Sequence, residues 1–537
     1  QRPILVLFAA VCAVLLVGCA NVANLMLARA ASRRRELAVR VAMGAPPGAI
    51  ARQLLTESAL LALAAGAFGV LLAFGATRAL SSMLPAAIAR VGHVRVDGRV
   101  LGFTLGASVL VALLCGIAPA LRGAREATYD ALPEAARGGT HGRRARRFQA
   151  SLVVGELALA MVLTVSAGLL VNSFARLTAI DPGFRTDHRV RMKIDPPDAR
   201  YRRGPATDRF FETVLRQTRA LPGVRSAALV SRFPLHDGPL TSDALVEGAP
   251  YTVGDQPPAV QYRMASAGYF ATMGIPVLAG REFLPSDNAD SSSRLVAVVN
   301  RTAAIRLFAT QNPLGKRLRL GSADSPLFTV VGVVGDIHEL SLREAAEPEV
   351  YVSSRQGLAT AGSIVVHYDG APASVVAGVR RIVSSLDKTL PVFDVQSFEA
   401  VVAAARTGDR FTTALLSSFA ALALVLAALG TYGVIAYGVA ERTREFGVRM
   451  ALGAQSREVA SMVLREGLAL FLIALPIAFA GMAWSNRVLA RLLFGVVPSD
   501  PSTIAAAVGA LAAATAIACT VPALRASRVD PTIAIKG

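Results

Sequence analysis

Charge is scarce in this sequence. Asp, Glu, Lys and Arg make up 17% of its 537 residues against 53% hydrophobic residues, and the mean hydropathy is +0.49. A soluble domain carries about a quarter charged residues, so this balance excludes an ordinary water-soluble globule. Cysteine is scarcer still. Cys12, Cys19, Cys115 and Cys519 all lie in apolar runs and read as small membrane-embedded residues, which leaves the polar part of the chain with neither a disulfide framework nor zinc-ligand spacing. Enzyme signatures are missing too. No G-x-x-x-x-G-K-[ST], G-x-S-x-G or H-E-x-x-H occurs, and Gly315-Lys316 is followed by Arg317 with no glycine upstream. The six histidines (His93, His141, His188, His236, His338 and His367) are scattered. Asp336, His338 and Glu339 could seed a metal site, but no further ligand stands at the right spacing, and a solvated loop at a strand end is the better reading. No catalytic residue, metal site or cofactor is assigned to this chain.

The net charge of +19 would suit nucleic acid, but its distribution argues against that. Residues 176–405, the one long polar region, hold 26 basic and 23 acidic side chains. The excess sits in short loops beside apolar runs. Runs long enough to cross a bilayer, about 20 residues each, occur at Ile4–Leu27, Ser58–Leu80, Leu101–Leu121, Ser151–Val171, Phe411–Tyr437, Leu468–Leu489 and Thr503–Val521. That makes seven spans. Loops after the first, third, fifth and seventh carry 21 Lys and Arg, so the positive-inside rule puts those loops in the cytoplasm and 176–405 outside.

One block occurs twice in those cytoplasmic loops, as Arg35-Glu36-Leu37-Ala38-Val39-Arg40-Val41-Ala42-Met43-Gly44-Ala45 and as Arg444-Glu445-Phe446-Gly447-Val448-Arg449-Met450-Ala451-Leu452-Gly453-Ala454. Each copy follows one span and runs on through a glutamate, Glu57 or Glu466, into the next. The repeat continues: Asp97 and Asp500 precede the third and seventh spans, which end in Pro119–Arg122 and Pro522–Arg525. Residues 1–121 and 411–537 are thus two copies of one three-helix unit in the same orientation, unlike the inverted repeats of many secondary transporters. An extra span at 151–171 and the external region precede the second copy. By symmetry we expect an equivalent span and domain ahead of Gln1, the present chain being an N-terminally truncated fragment. Residues 122–150, with Arg143, Arg144, Arg146 and Arg147, read as a flexible basic linker facing lipid headgroups.

In each block, Leu37 and Val41 or Phe446 and Met450 share one helix face, and Gly44 or Gly453 supplies the stop before the next helix. Such a short amphipathic helix can dock on a cytoplasmic partner or lie on headgroups; two near-identical copies favour the partner. Glu57 and Glu466 sit at span mouths, either as carboxylates at a helix N-terminus or paired with loop arginines. Glu156 lies about two turns into the fourth span. An ionisable residue there is a candidate for a proton- or substrate-linked role, although its shallow depth lets it reach the interface. In the external region, strands at 189–194, 224–231, 296–299, 328–334, 364–368 and 392–395 and helices at 208–221 and 374–386 point to an α/β domain of split ferredoxin-like type with an insert.

At these residues the chain resembles the MacB/FtsX/LolC-like permeases, the type VII ABC transporters. The external region is similar to the MacB-like periplasmic domain at Ser266-Ala267-Gly268-Tyr269-Phe270, Met273-Gly274-Ile275, Gly280-Arg281-Glu282-Phe283, Pro313–Arg317 and Val331–Asp336. The Cys19–Arg29 stretch and the duplication resemble most the duplicated ADOP permeases. The resemblance implies an α-helical transmembrane bundle with two FtsX-like units and a MacB-like periplasmic α/β domain in the bacterial inner membrane. It also implies coupling helices at about 33–57 and 441–466, with Arg35, Glu36, Val39, Arg40, Gly44, Ala45, Arg444, Glu445, Val448, Arg449, Gly453 and Ala454 contacting a separate ABC ATPase subunit. Implied partners are that ATPase, membrane lipid and a periplasmic adaptor or outer-membrane component; nucleic acid is not among them. The expected function is ATP-driven efflux or export by mechanotransmission. The alternatives are a scaffold that regulates a periplasmic partner without moving cargo, and an ATP-independent secondary transporter, which would need several ionisable residues deep in its spans.

Overall fold

Apolar runs of this length become helices because in lipid only a helix or a closed barrel satisfies its own backbone groups. The computed structural model describes residues 2–32, 139–197, 201, 205–249, 257–287, 295–356 and 362–528, with the helical stretch 63–75 and a few single positions between 52 and 106. In chain order, α1 (Arg2–Ser32) and α2 (Gly139–Thr178) come first. There follow β1 (Arg189–Ile194), α3 (Pro205–Arg219), β2 (Val224–Val230), β3 (Thr241–Val246), β4 (Ala259–Ala265), α4 (Tyr269–Met273), β5 (Val277–Gly280), β6 (Val296–Asn300) and α5 (Arg301–Phe308). Next are β7 (Arg317–Leu320), β8 (Leu327–Val334), β9 (Glu349–Ser353), β10 (Gly362–Tyr368), α6 (Pro372–Leu386), β11 (Phe393–Ser397) and α7 (Phe398–Ala405). The chain then turns helical again with α8 (Thr407–Glu441), α9 (Thr443–Ala451), α10 (Ser456–Leu489) and α11 (Pro501–Ala526). Two units result: Gln1–Arg176 with Asp409–Gly537, and Leu177–Gly408.

In the helical unit, five described helices are long and apolar enough to cross a membrane, namely α1, α2, α8, α10 and α11. The spans expected at 58–80 and 101–121 lie largely outside the described residues, apart from an apolar helix over Leu63–Gly75. The organising helix is α2. Of its most apolar window 67% is buried, against 39% for α8, 33% for α10 and 28% for α11. Small residues let its neighbours come close: a methyl added to Gly168 would meet Thr503 of α11, and one on Gly481 of α10 would meet Val162. Away from α2, large apolar side chains such as Leu429, Leu472, Ile473 and Ile517 are exposed, which suits a face that meets lipid. Residues 139–150, read above as part of a flexible linker, are instead the first turns of α2, whose 40 residues rise about 60 Å. Their arginines hid a helix that runs on past the apolar stretch.

The α/β unit is built in two parts. β1-α3-β2 and β10-α6-β11 form a four-stranded antiparallel sheet in the order β11-β1-β10-β2, the split ferredoxin-like arrangement. Its core joins Met192, Ile194, Phe211, Val214, Ile364, Val379 and Val383 from the strands and the two helices. Between β2 and β10 lies the insert. Its strands pair β4-β3-β7-β8-β6-β9, and β9 returns to pair with β4 in parallel, so six strands close into a barrel. Alternation sends Val260, Met264, Val350 and Val352 to the barrel core. Arg263, Glu349 and Tyr351 take the opposite face and are buried there too. Val230↔Ala265 links the barrel to the four-stranded sheet.

Candidate functional site

The second block builds the turn between α8 and α10. Phe446 and Met450, four residues apart on α9, share its inward face. Phe446 is 2% exposed in the bundle core, and Met450 packs against that core. Arg444, Glu445 and Val448 are exposed, as is Leu452 at 83%. Glu445 holds Arg449 at 2.6 Å, four residues on, in the order a helix favours. Arg449 also reaches Met462 Sδ of α10 at 3.1 Å. The stop is Gly453, whose φ of +100° suits glycine. Gly453 N–H donates to Met450 O at 3.1 Å and Ala454 N–H to Arg449 O at 3.0 Å, closing a Schellman turn. α10 starts two residues later, with Glu458 accepting from Gln455 N–H at 3.2 Å. Residues 441–466 are therefore a short helix, a fixed turn and the opening of α10. Together they form an elbow with Arg444, Val448 and Leu452 outward. The first block's Arg35, Glu36, Val39, Arg40, Gly44 and Ala45, with Glu57, lie outside the described residues.

Glu466 does not serve a helix N-terminus. It sits ten residues beyond Ser456, and Glu458 serves that end of α10. Its carboxylate instead ties the elbow to α2, pairing with Arg146 and lying 3.6 Å from Arg442. Glu156 also departs from expectation. It is 1% exposed rather than turned to the interface, and neither of its oxygens finds a partner among the described residues. It lies against Gly430 of α8 and near Asn21 of α1. The sequence reading named neither neighbour as a site residue; two asparagines three apart in an apolar run, Asn21 and Asn24, were the available signal.

In the α/β unit the trio Asp336, His338 and Glu339 goes to three different partners. Asp336 accepts from Thr302 N–H at 2.9 Å, at the start of α5. His338 Nδ1 meets Glu344 O at 2.9 Å. Glu339 is buried against Arg263, which also takes Glu349 at 2.9 Å, while Tyr351 donates to Glu349 at 2.6 Å. Burial pushes the Glu339 carboxyl up to about 7 although Arg263 opposes it. The sequence motifs around these positions serve packing: Phe270 stacks near Phe283 at 5.9 Å, and Arg281 clasps Asp287 with two bonds of 2.8 and 3.0 Å.

Residues 8–127 and 417–531 both match the FtsX-like permease C-terminal family, and residues 150–383 match the MacB-like periplasmic core domain. The chain belongs to the type VII ABC permeases. As a permease of this family it is a membrane protein with a MacB-like periplasmic domain, and the two FtsX-like matches make it a tandem duplicate. Among its relatives, the pyoverdine export ATP-binding/permease protein PvdT of Pseudomonas entomophila is 27% identical over 278 residues, 48% of this chain and 40% of that protein. The macrolide export ATP-binding/permease protein MacB of Marinobacter nauticus is 27% identical over 198 residues, 36% of this chain and 30% of that one. The uncharacterized ABC transporter permease YknZ of Bacillus subtilis is 24% identical over 208 residues, 38% and 52% respectively. The permease thus spans about a third to a half of the length of these relatives.

Proposed function

We propose that this permease exports a substrate in the bacterial inner membrane by transmitting the motion of a separate ABC ATPase subunit to its periplasmic domain. The work enters at two coupling helices, the Arg444–Ala454 elbow and the matching Arg35–Ala45 block. The observation that carries this reading is the build of the elbow. Its inward face is locked by Phe446 and by the Glu466 pairing with α2, its end is fixed by Gly453, and its outward face is free for a partner. A push on the exposed face therefore moves α10, and through Glu466 moves α2, rather than bending a loop. Arg444 and Arg449 give that face charge for register and Leu452 gives it an apolar anchor, as a helix-in-groove contact requires. Two of the relatives named above are ATP-binding/permease proteins, which supports an ABC ATPase as the source of the hydrolysing groups. A periplasmic adaptor or outer-membrane component would take over the cargo on the far side.

The test is co-purification with a co-expressed ABC ATPase. Exchanging both Arg40 and Arg449 for glutamate is expected to lower ATPase recovery and permease-stimulated hydrolysis by about tenfold or more, with membrane expression unchanged. Unaltered recovery and stimulation in the double variant would overturn the coupling assignment.

A further inference from the structure

Glu156 sits on the most buried of the described spans, with no partner for either carboxylate oxygen among the described residues. Among those residues no Lys, Arg or His forms an ion pair with it. The Arg146–Glu466 pair lies ten residues back along α2, about 15 Å away. An isolated ionised carboxylate is costly in such surroundings, so something positive has to meet it. The geometry shows where. Asn21 Nδ2 donates to Leu426 O of α8 at 2.7 Å, which fixes that amide and leaves its oxygen to face the glutamate. A methyl built on Gly430 would lie 2.7 Å from Asn21 Oδ1 and would collide with Glu156 Oε2. Two acceptor oxygens from two helices thus converge on one bare glycine of a third. Thr431 beside it supplies no donor, because its hydroxyl is spent on Ala427 O at 2.8 Å. Asn24, one turn further along α1 and 4% exposed, likewise has no partner for its amide among the described residues.

We propose that Glu156 and Asn21, across Gly430, form an intramembrane site that holds one small monovalent cation, H⁺ or Na⁺, between a carboxylate and an amide oxygen. A proton on Glu156 would be donated to Asn21 Oδ1; a sodium ion would be ligated by both oxygens. The chemistry is the same in both cases, a single positive charge shared by two oxygens. Among the described residues, Cys12 and Cys19 on α1, Tyr432 and Tyr437 on α8 and Cys519 on α11 are ionisable side chains within the neighbouring spans, and all are ordinarily neutral. Nearer the helix ends, Arg146 and Arg442 both pair with Glu466, and Arg525 Nη1 donates to Tyr432 Oη at 3.4 Å. Because Asn21 of α1 lies in the first FtsX-like copy and Gly430 of α8 in the second, the site straddles the duplication. Occupancy would therefore respond to any shift of one copy against the other.

The test uses the purified full chain in lipid nanodiscs. Thermal melting is followed against pH at fixed ionic strength, and against NaCl with choline chloride as the control, for the wild type and Glu156→Gln. The wild type is expected to gain stability with acid (a proton site) or with sodium but not choline (a sodium site), over and above any response it shares with Glu156→Gln. The glutamine variant, whose amide can itself donate to Asn21 Oδ1, is expected to fold and to lose that extra response. Asn21→Leu is expected to weaken the apparent affinity for the cation by about tenfold. For a proton, infrared difference spectra should also show a protonated-carboxyl band that Glu156→Gln removes. Matching pH and sodium responses in the wild type and Glu156→Gln would overturn the proposal. Since no ATPase is present, failure here leaves the coupling-helix reading untouched.

Discussion

At the residue scale the decisive arrangement outside the membrane is one guanidinium between two buried carboxylates. Arg263, Glu339 and Glu349 are all nearly closed to solvent. Burial raises Glu339 to about 7, above the value of about 4.3 it takes in an unfolded chain. The folded state therefore holds a proton that the unfolded state gives up between those limits. Stability from this group is fully present below about pH 4 and is lost as pH rises to about 7, with no further change above. Hydrogen exchange of β4 and β9 amides in the full chain should slow from about pH 7.5 to pH 5.5 beyond the intrinsic rate change, and Glu339→Gln should remove that excess. Arg263→Met is expected to cost about 3–5 kcal/mol, since it leaves two uncompensated buried carboxylates. Resistance of the Leu177–Gly408 unit to protease in the intact protein reads that loss.

At the element scale the elbow is held by a left-handed residue, a buried ring and the pairing of Glu466 with α2. Alanine at Gly453 would have to adopt the φ of +100° that glycine takes, and should loosen the turn by about 1 kcal/mol or more. Amides of α9 should then exchange several-fold faster while those of α10 stay protected. Phe446→Ala removes a ring that is 2% exposed and should cost about 3 kcal/mol, lowering the melting temperature of the purified chain. The elbow was legible because its signals are local: an R-E-x-x-V-R repeat, a four-residue apolar spacing and a terminal glycine. The ferredoxin-like strands were legible for the same reason, and β1 lies at the residues predicted. Of the barrel, only β6 and β8 were legible, within one residue of the bounds predicted. β4 reads AVQYRMA and carries a buried arginine on its second face, β9 is buried on both faces, and β7 is four residues long, so these strands show no clean alternation. The start of α2 was masked by its arginines. The meeting of Asn21, Glu156 and Gly430 joins residues more than a hundred positions apart, which no spacing within one span can reveal.

At the scale of the whole molecule, one tryptophan in 537 residues makes a clean reporter. Trp484 is 68% exposed near the end of α10 opposite the elbow, on a face that meets lipid. Its emission should be blue-shifted in vesicles and quenched more by lipids brominated near the headgroup end of the acyl chain than by those brominated at its tip. Deep quenching, or none, would contradict this placement of the helix. The closed barrel has its own consequence. The chain leaves the four-stranded sheet after Val230 and re-enters it at Gly362, and Val230 and Ser363 face each other across two bonded strands. Everything between is a cassette spliced in at one seam. Lineages could exchange or reshape it without disturbing the strands that carry the graft.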